Sequence, residues 1–472
     1  MYVYCQDYDK YYSVTKNSEL IIKNQFTLWL NINQINLIQN FGVNTMKQSN
    51  IKLRDAVIYS VYVRNHTAEG TFNAVIPDLD RIKALGTDIV WFMPIHPIGE
   101  KGKKGSLGCP YANKDYRNVN PEYGTIDEFV NLVDEIHNRD MKCMIDVVYN
   151  HTSPDSLLSK IHPEFFYKKP DGNFGNKIGD WTDVIDLDYS NKELWDYQIN
   201  TLVMWAKIVD GFRCDVASFV PVDFWIRARE EVSRVNPDCI WLAETVHGGF
   251  SLFARQSGIY SETDYDMFSA FDMEYDYDIR EVFDDYLKGK IELSHYLDML
   301  KFQEATYPAD YNKMRCLENH DQPRICSYIK NENELVNYTA FLYFLKGTTL
   351  IYAGQEFEND HLPSLFEKDV FNRETGKDIS ALLSKLNQIK KTQLECDDYF
   401  RAYSDDEHNI AILERDNNKR RKLGVFSLKA ESANVSVNIP DGEYKNLIDD
   451  ETVTVKDGKI ECCGKPIIIN VK

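Results

Sequence analysis

The feature that most constrains this chain is a rhythm of short apolar, β-branched runs, most of them followed by an amphipathic helical pattern. Eight such runs recur: Ala56–Val63, Asp88–Ile95, Lys142–Val148, Gly211–Val216, Ile240–Glu244, a stretch near Asp266–Met273, Met314–Glu318 and Thr348–Ala353. A strand that is apolar on both faces has to be covered on both, as in parallel sheets flanked by helices. The intervening segments supply the helices. Ile76, Leu79, Ile82 and Leu85 fall at helical spacing, and Gly86 closes that segment as a C-terminal cap. Thr125-Ile-Asp-Glu128 reads as a capping box that opens a helix burying Phe129, Leu132, Val133 and Ile136. Ser190-Asn-Lys-Glu193 reads as a second, ahead of Leu194, Tyr197, Leu202 and Trp205. Eight strands alternating with helices over roughly three hundred residues predict an α/β fold, a (β/α)8 TIM barrel, better than an open doubly wound sheet. No glycine-rich phosphate loop follows any strand, which weakens nucleotide-binding readings.

The rhythm breaks at both ends and once inside. Residues 51–394 are expected to form the barrel, with a short irregular insertion at 152–189 after the third strand. From 395 to 472 the pattern changes to short alternating runs separated by turns such as Pro440-Asp-Gly442 and Lys456-Asp-Gly458, which predicts a C-terminal antiparallel β-domain. Residues 1–50 are rich in Asn, Gln, Ile and Tyr and look unlike the rest. They read either as helix packed on the main domain or as a lead ahead of a natural start at Met46.

Charge and cysteine use exclude several partners. The 472 residues carry 54 Lys and Arg against 74 Asp and Glu, a net charge of −20. Such a chain lacks the clustered cations that phosphate backbones and anionic lipid surfaces require. The ten cysteines are scattered with no C-x-x-C pair, so no zinc ribbon or redox motif is implied, and Cys143, Cys214 and Cys316 read as small buried hydrophobes. The N-terminus has no secretory pattern and no apolar run approaches the roughly 20 residues of a membrane span. A cytoplasmic protein with free thiols is the expectation.

In an α/β barrel, functional side chains stand at the carboxyl ends of strands. Here the third strand ends Asp146-Val-Val-Tyr-Asn150-His151, the fourth runs Gly211-Phe-Arg213-Cys-Asp215, the fifth ends in Glu244, and the seventh continues to Glu318-Asn-His320-Asp321. Asp146 lies inside its strand and reads as structural. Arg213 and Asp215 are two residues apart on one strand, so their side chains point the same way and the guanidinium favours an ionised Asp215. One ionised and one protonated carboxyl group facing a polyol is the requirement for cleaving a glycosidic bond.

These motifs, with Met93-Pro-Ile-His96-Pro, Gly108-Cys-Pro-Tyr111, Val184-Ile-Asp186-Leu-Asp188 and Leu350-Ile-Tyr-Ala-Gly354-Gln-Glu356, resemble those of the α-amylase superfamily, glycoside hydrolase family 13, over residues 56–472. The resemblance implies a retaining glycosidase acting on neutral α-glucans, maltooligosaccharides or starch fragments. Asp215 would be the nucleophile, Glu244 the acid and base, and Asp321 a binder of the reacting sugar's hydroxyls. His151 and His320 would bond the same sugar, Tyr111 would stack under it, and Arg213 would orient the nucleophile. The resemblance also leaves open an α-1,6-active or neopullulanase-like hydrolase, a glucanotransferase or phosphorylase on this scaffold, or a non-catalytic glycan binder. Two departures stand out: Ser218 and Phe219 occupy positions where many relatives carry a Lys-His pair, and Val216 follows the nucleophile, as in members that cut α-1,6 bonds. Asn150 and Asp186 match calcium positions of the family, but a hard cation wants six or more oxygens, and no cofactor is expected to be required.

Overall fold

The structure, a computed structural model, describes residues 50–471 except 179, 180, 418 and 419. The expectations for residues 1–49, including a start at Met46, lie outside the described residues. Eight parallel strands close into a barrel: Val57–Val61, Ile89–Phe92, Lys142–Val147, Gly211–Cys214, Ile240–Ala243, Met273–Tyr275, Lys313–Arg315 and Thr348–Tyr352. Each pairs with its neighbours in sequence order, and the first closes on the eighth, with Val57 opposite Thr349 and Ile58 opposite Ile89. Ile58, Trp91, Met144, Leu242, Met273, Met314 and Leu350 point into the barrel and fill it, so its interior is a packed core rather than a pore. Residues on the opposite faces of the strands join the helices in a second, larger core.

Several local expectations are corrected. The segment from Ile76 is not one helix. Pro77 interrupts it, leaving a 3-10 turn at Ile76–Asp78 and a helix only over Leu79–Ala84. The stretch near Asp266 is helical at Asp264–Met267, because Thr263 and Asp266 cap it reciprocally, and the sixth strand begins only at Met273. The second capping box does not form: Asn191, not Ser190, is the cap, and its side chain accepts the Glu193 N–H. The Thr125–Glu128 box is present and opens the helix Ile126–His137.

Beyond the barrel the chain builds two four-stranded antiparallel sheets. One runs in the order Tyr399–Asp405, Ile410–Asp416, Arg421–Ser427 and Ile467–Val471. The other runs in the order Ser432–Ser436, Lys459–Cys463, Thr452–Lys456 and Gly442–Lys445. Strand alternation explains how the first sheet serves two cores. Ile410, Ile412, Leu423 and Val425 face the second sheet, whereas Ala411, Leu413 and Phe426 belong to the barrel's core. Phe426 packs on Phe341 and Phe344 of the helix Glu332–Phe344, with ring centroids 5.7 and 5.6 Å away.

Candidate active site

The carboxyl ends of the strands surround a cleft of about 430 Å³ lined by Tyr111, His151, Asp215, Glu244 and Asp321 among others. Backbone pairing sets the two carboxylates side by side. Asp215 N–H donates to the Val147 carbonyl, Glu244 N–H to the Cys214 carbonyl, and Ala217 N–H to the Glu244 carbonyl. Between them Val216 takes a left-handed conformation with φ of 38°. A β-branched residue is costly there, by roughly 1–3 kcal/mol, so the surrounding contacts must hold it. The turn aims the Val216 N–H at Glu244 Oε2, 2.8 Å away.

Arg213 lies beneath, fully buried, and serves three carboxylates. Its Nη1 donates to both oxygens of Asp146 at 2.9 Å and to Asp215 Oδ1 at 3.0 Å. Its Nη2 lies 2.8 Å from Glu244 Oε1 as an ion pair that lacks hydrogen-bond alignment. Asp146, expected to be structural from its place in the strand, is therefore part of the floor of this site. A planar guanidinium can span such a set; a point charge on a flexible stem cannot.

The electrostatics separate the two carboxyl groups. Burial raises Asp215 to about 6, against the opposing pull of Arg213. Burial raises Glu244 further, to about 7, where Arg213 again opposes and the charges of Asp215 and Asp321 add. Glu244 thus holds its proton to higher pH than Asp215. At Asp321 burial also pushes upward, but His320, Arg213 and His247 outweigh it and the group ends below its ordinary value. Asp321 is presented to the cleft by Asn319, whose Oδ1 accepts the backbone N–H groups of Asp321 and Gln322 at 2.9 and 3.0 Å.

The remaining expected residues divide into two layers. His151 lines the cleft with its Nε2 3.9 Å from Asp215 Oδ2, and burial keeps it toward the neutral form. Tyr111 also lines the cleft, its hydroxyl 3.0 Å from Asp146 Oδ2 and 2.7 Å from His320 Nε2. His320 is almost wholly buried below them, parallel to the Tyr111 ring and 3.0 Å from Asp321 Oδ2. His320, expected to bond a sugar hydroxyl, is not among the residues lining the cleft and meets Tyr111 and Asp321 there. His96, from the second strand's motif, is a structural residue. Burial lowers it to about 4, its Nδ1 meets the Asn118 carbonyl, and its ring packs on Trp205.

Other cleft residues escaped the sequence reading. Trp181, His247, Phe250, Tyr277, Leu365 and Phe366 complete the wall. Trp181 packs on His151 at 5.6 Å and on Phe250 at 6.2 Å, and His247 stacks on Tyr277 at 4.2 Å. The Asp-Trp-Thr-Asp string around Trp181 was the available signal. Leu365 and Phe366 carried none, because a loop after the eighth strand reaches the cleft only through folding. Where relatives carry a Lys-His pair, Ser218 is buried and Phe219 packs edge-on to the cleft residue Phe250 at 5.5 Å from outside the cleft lining.

Of the two calcium candidates, Asp186 has its carboxylate oxygens committed elsewhere. Both Asp186 oxygens already accept protein N–H groups, from Asn176 Nδ2 at 3.2 Å and Lys177 N at 2.6 Å. Asn150 Nδ2 is turned to His151 Nδ1 at 3.2 Å. The Lys177 ammonium sits beside them on the Leu187 carbonyl. This donor set does not fit a hard divalent cation, which needs six or more free oxygens.

The site is thus a closed parallel barrel carrying paired carboxyl groups over one buried arginine. Residues 38–163 and 178–421 match the family described as the alpha amylase catalytic domain, and residues 402–469 match the bacterial alpha amylase C-terminal domain. The chain belongs to the alpha-amylase family. It is similar to the crystal structure of an alpha-amylase from Lactobacillus plantarum, at 44% identity and a TM-score of 0.86 over 90% of this chain and 100% of that one. A noncanonic maltogenic alpha-amylase from Thermotoga neapolitana is 34% identical, with a TM-score of 0.79 over 89% of this chain and 99% of that one. Among curated relatives, an alpha-amylase from Haloarcula japonica is 26% identical over 325 residues, 64% of this chain but only 44% of that protein's length. No helix among the described residues is long and apolar enough to cross a membrane.

Proposed function

We propose that the protein is a retaining hydrolase of α-glucosidic bonds in maltooligosaccharides or starch fragments. The observation that carries this reading is Arg213, which ties Asp215 and Glu244 to one guanidinium while burial leaves Glu244 the later to ionise. Between about pH 6 and 7 Asp215 is the carboxylate and Glu244 the acid. In the first step an Asp215 oxygen bonds to the anomeric carbon while the glycosidic C–O bond breaks and the leaving oxygen takes the Glu244 proton. In the second, Glu244 removes a proton from water, the water oxygen bonds to the anomeric carbon, and the ester to Asp215 breaks.

Asp321, held below its ordinary value by its neighbours His320 and Arg213 against the push of burial, accepts hydrogen bonds from the sugar's hydroxyls, which strengthen as positive charge develops on the ring. His151 is placed to bond the same sugar, and the Tyr111 ring to pack against its apolar face. Trp181, Phe250 and Phe366 supply aromatic surface for neighbouring glucose units, which suits a neutral, flat-faced substrate rather than an anion. No step needs a metal or an organic cofactor.

The test is a substrate panel of starch, maltotriose, pullulan, isomaltose and cyclodextrin with product analysis, run with and without an acceptor sugar or phosphate. Glucose and maltose release from maltotriose, abolished in Asp215→Asn, supports the reading. Turnover only with isomaltose or only with an added acceptor would replace it by an α-1,6 hydrolase or a transferase.

A further inference from the structure

A second cavity, of about 470 Å³, shares a wall with the cleft: Asn150 faces it, while the adjacent His151 faces the substrate. Lys177 and Asp186 line it as well, along with Phe219 and Tyr260. It lies where the inserted segment meets the end of the third barrel strand. The two chain segments are joined by a short antiparallel pair, His151 opposite Asp186 and Thr152 opposite Ile185, and by the Tyr189 hydroxyl, which donates to the Tyr149 carbonyl at 2.7 Å. Two pairs of residues are too few to hold a strand pair in water by themselves. Something else has to secure the junction that positions His151.

Lys177 braces Asp186 and Leu187, the residues of the insertion that pair with the third strand's end. Its backbone N–H donates to Asp186 Oδ2 at 2.6 Å, and its ammonium donates to the Leu187 carbonyl at 2.7 Å. Leu187 N–H in turn donates to the Asn150 carbonyl at 3.0 Å. Burial lowers the Lys177 ammonium from its ordinary value, and Asp186, with Asp188 behind it, opposes that shift. A positive charge fixed here repels a divalent cation, and the donors it uses are those a cation would need.

We propose that Lys177 is a built-in replacement for a bound divalent cation at this junction, a positioning residue that braces Asp186 and Leu187, the part of the inserted segment paired with the third strand's end, and so fixes His151. The consequence is an enzyme whose fold and activity are indifferent to calcium. The sign of the charge at position 177 decides that response.

Thermal unfolding and calorimetric titration test this without relying on turnover. The metal-stripped wild-type protein is expected to show the same Tm in EDTA and in millimolar calcium chloride, and no heat of calcium binding. Lys177→Met is expected to unfold at least about 3 °C earlier in both buffers. Its KM for maltotriose should rise more than its kcat falls, because His151 loses its place while the carboxylates keep theirs. Lys177→Arg should recover most of both losses. Lys177→Glu, which puts an oxygen donor where the ammonium was, should gain Tm on adding calcium chloride, by mass-action stabilisation of the folded state. If Lys177→Met does not fold, the wild-type titration and the calcium response of Lys177→Glu still decide. A wild-type Tm that drops on chelation and returns with calcium overturns the proposal. So does a Lys177→Met protein with wild-type Tm and KM, or a Lys177→Glu protein that ignores calcium.

Discussion

Replacing Arg213 by lysine keeps the positive charge and removes the fork. In the native site two guanidinium nitrogens reach Asp146 at 2.9 Å, Asp215 at 3.0 Å and Glu244 at 2.8 Å, with the arginine side chain fully buried. A lysine carries one nitrogen and cannot span all three, so at least one buried carboxylate loses its partner. Breaking a buried, hydrogen-bonded charge pair costs about 2–5 kcal/mol. Charged to the transition state, that loss lowers kcat/KM by about thirtyfold to a few thousandfold, since each tenfold is about 1.4 kcal/mol. The pH profile carries a second signature. Burial is what raises Asp215 to about 6, and Arg213 is the strongest influence opposing it. Weakening Arg213 therefore raises Asp215 further. The nucleophile must be ionised, so the acid limb of kcat/KM moves to higher pH, by about one unit for each 1.4 kcal/mol of interaction lost. The assay is kcat/KM on maltotriose from pH 4 to 9 for both proteins, with circular dichroism to establish that the variant is folded. A folded Arg213→Lys enzyme within threefold of wild type, with its acid limb unmoved, would refute the reasoning.

Three further outcomes are expected. Asp215→Asn should abolish turnover yet raise stability near neutral pH by on the order of 2 kcal/mol. The folded-state value, about 6, lies above the ordinary 3.8, so the wild type loses stability as pH rises through that window. Unfolding curves of the two proteins should accordingly diverge as pH rises from about 4 to about 6, and converge near about pH 3.5. Trp181→Ala should raise KM for maltotriose about five- to tenfold with kcat within threefold, because a stacking wall is lost and the carboxylates are untouched. Phe426→Ala should cost about 3–5 kcal/mol in denaturant unfolding, because its ring fills the contact between the β-domain and the helix carrying Phe341 and Phe344.

The barrel was legible because buried parallel strands leave continuous apolar runs, and the order of those runs is the order of neighbours in the sheet. Strand ends were read up to three residues too long. The chain turns as soon as the ladder ends, so Val63 already lies in a helix and Val216 in a left-handed turn. Asp215, Glu244 and Asp321 were legible for the positional reason that functional groups stand at strand ends. Asp146 was read as structural from its place inside the strand, and its partner Arg213 was not legible, because only the register between neighbouring strands sets the two side by side. Lys177 was invisible, since a lone lysine in an irregular loop has no periodicity to betray the carbonyl it meets ten residues on. Phe366 reaches the cleft from a loop whose sequence carries no pattern at all, and only the closed barrel brings it there.

The central claim is that Asp215 attacks the sugar and Glu244 serves first as acid and then as base. The most direct measurement is the anomeric configuration of the newly released reducing end, followed by proton NMR during the first minutes of maltooligosaccharide hydrolysis. Two displacements at one carbon predict the α-anomer first, with the β-anomer growing in only by mutarotation. A β-anomer released first would mean a single displacement by water and would contradict the account.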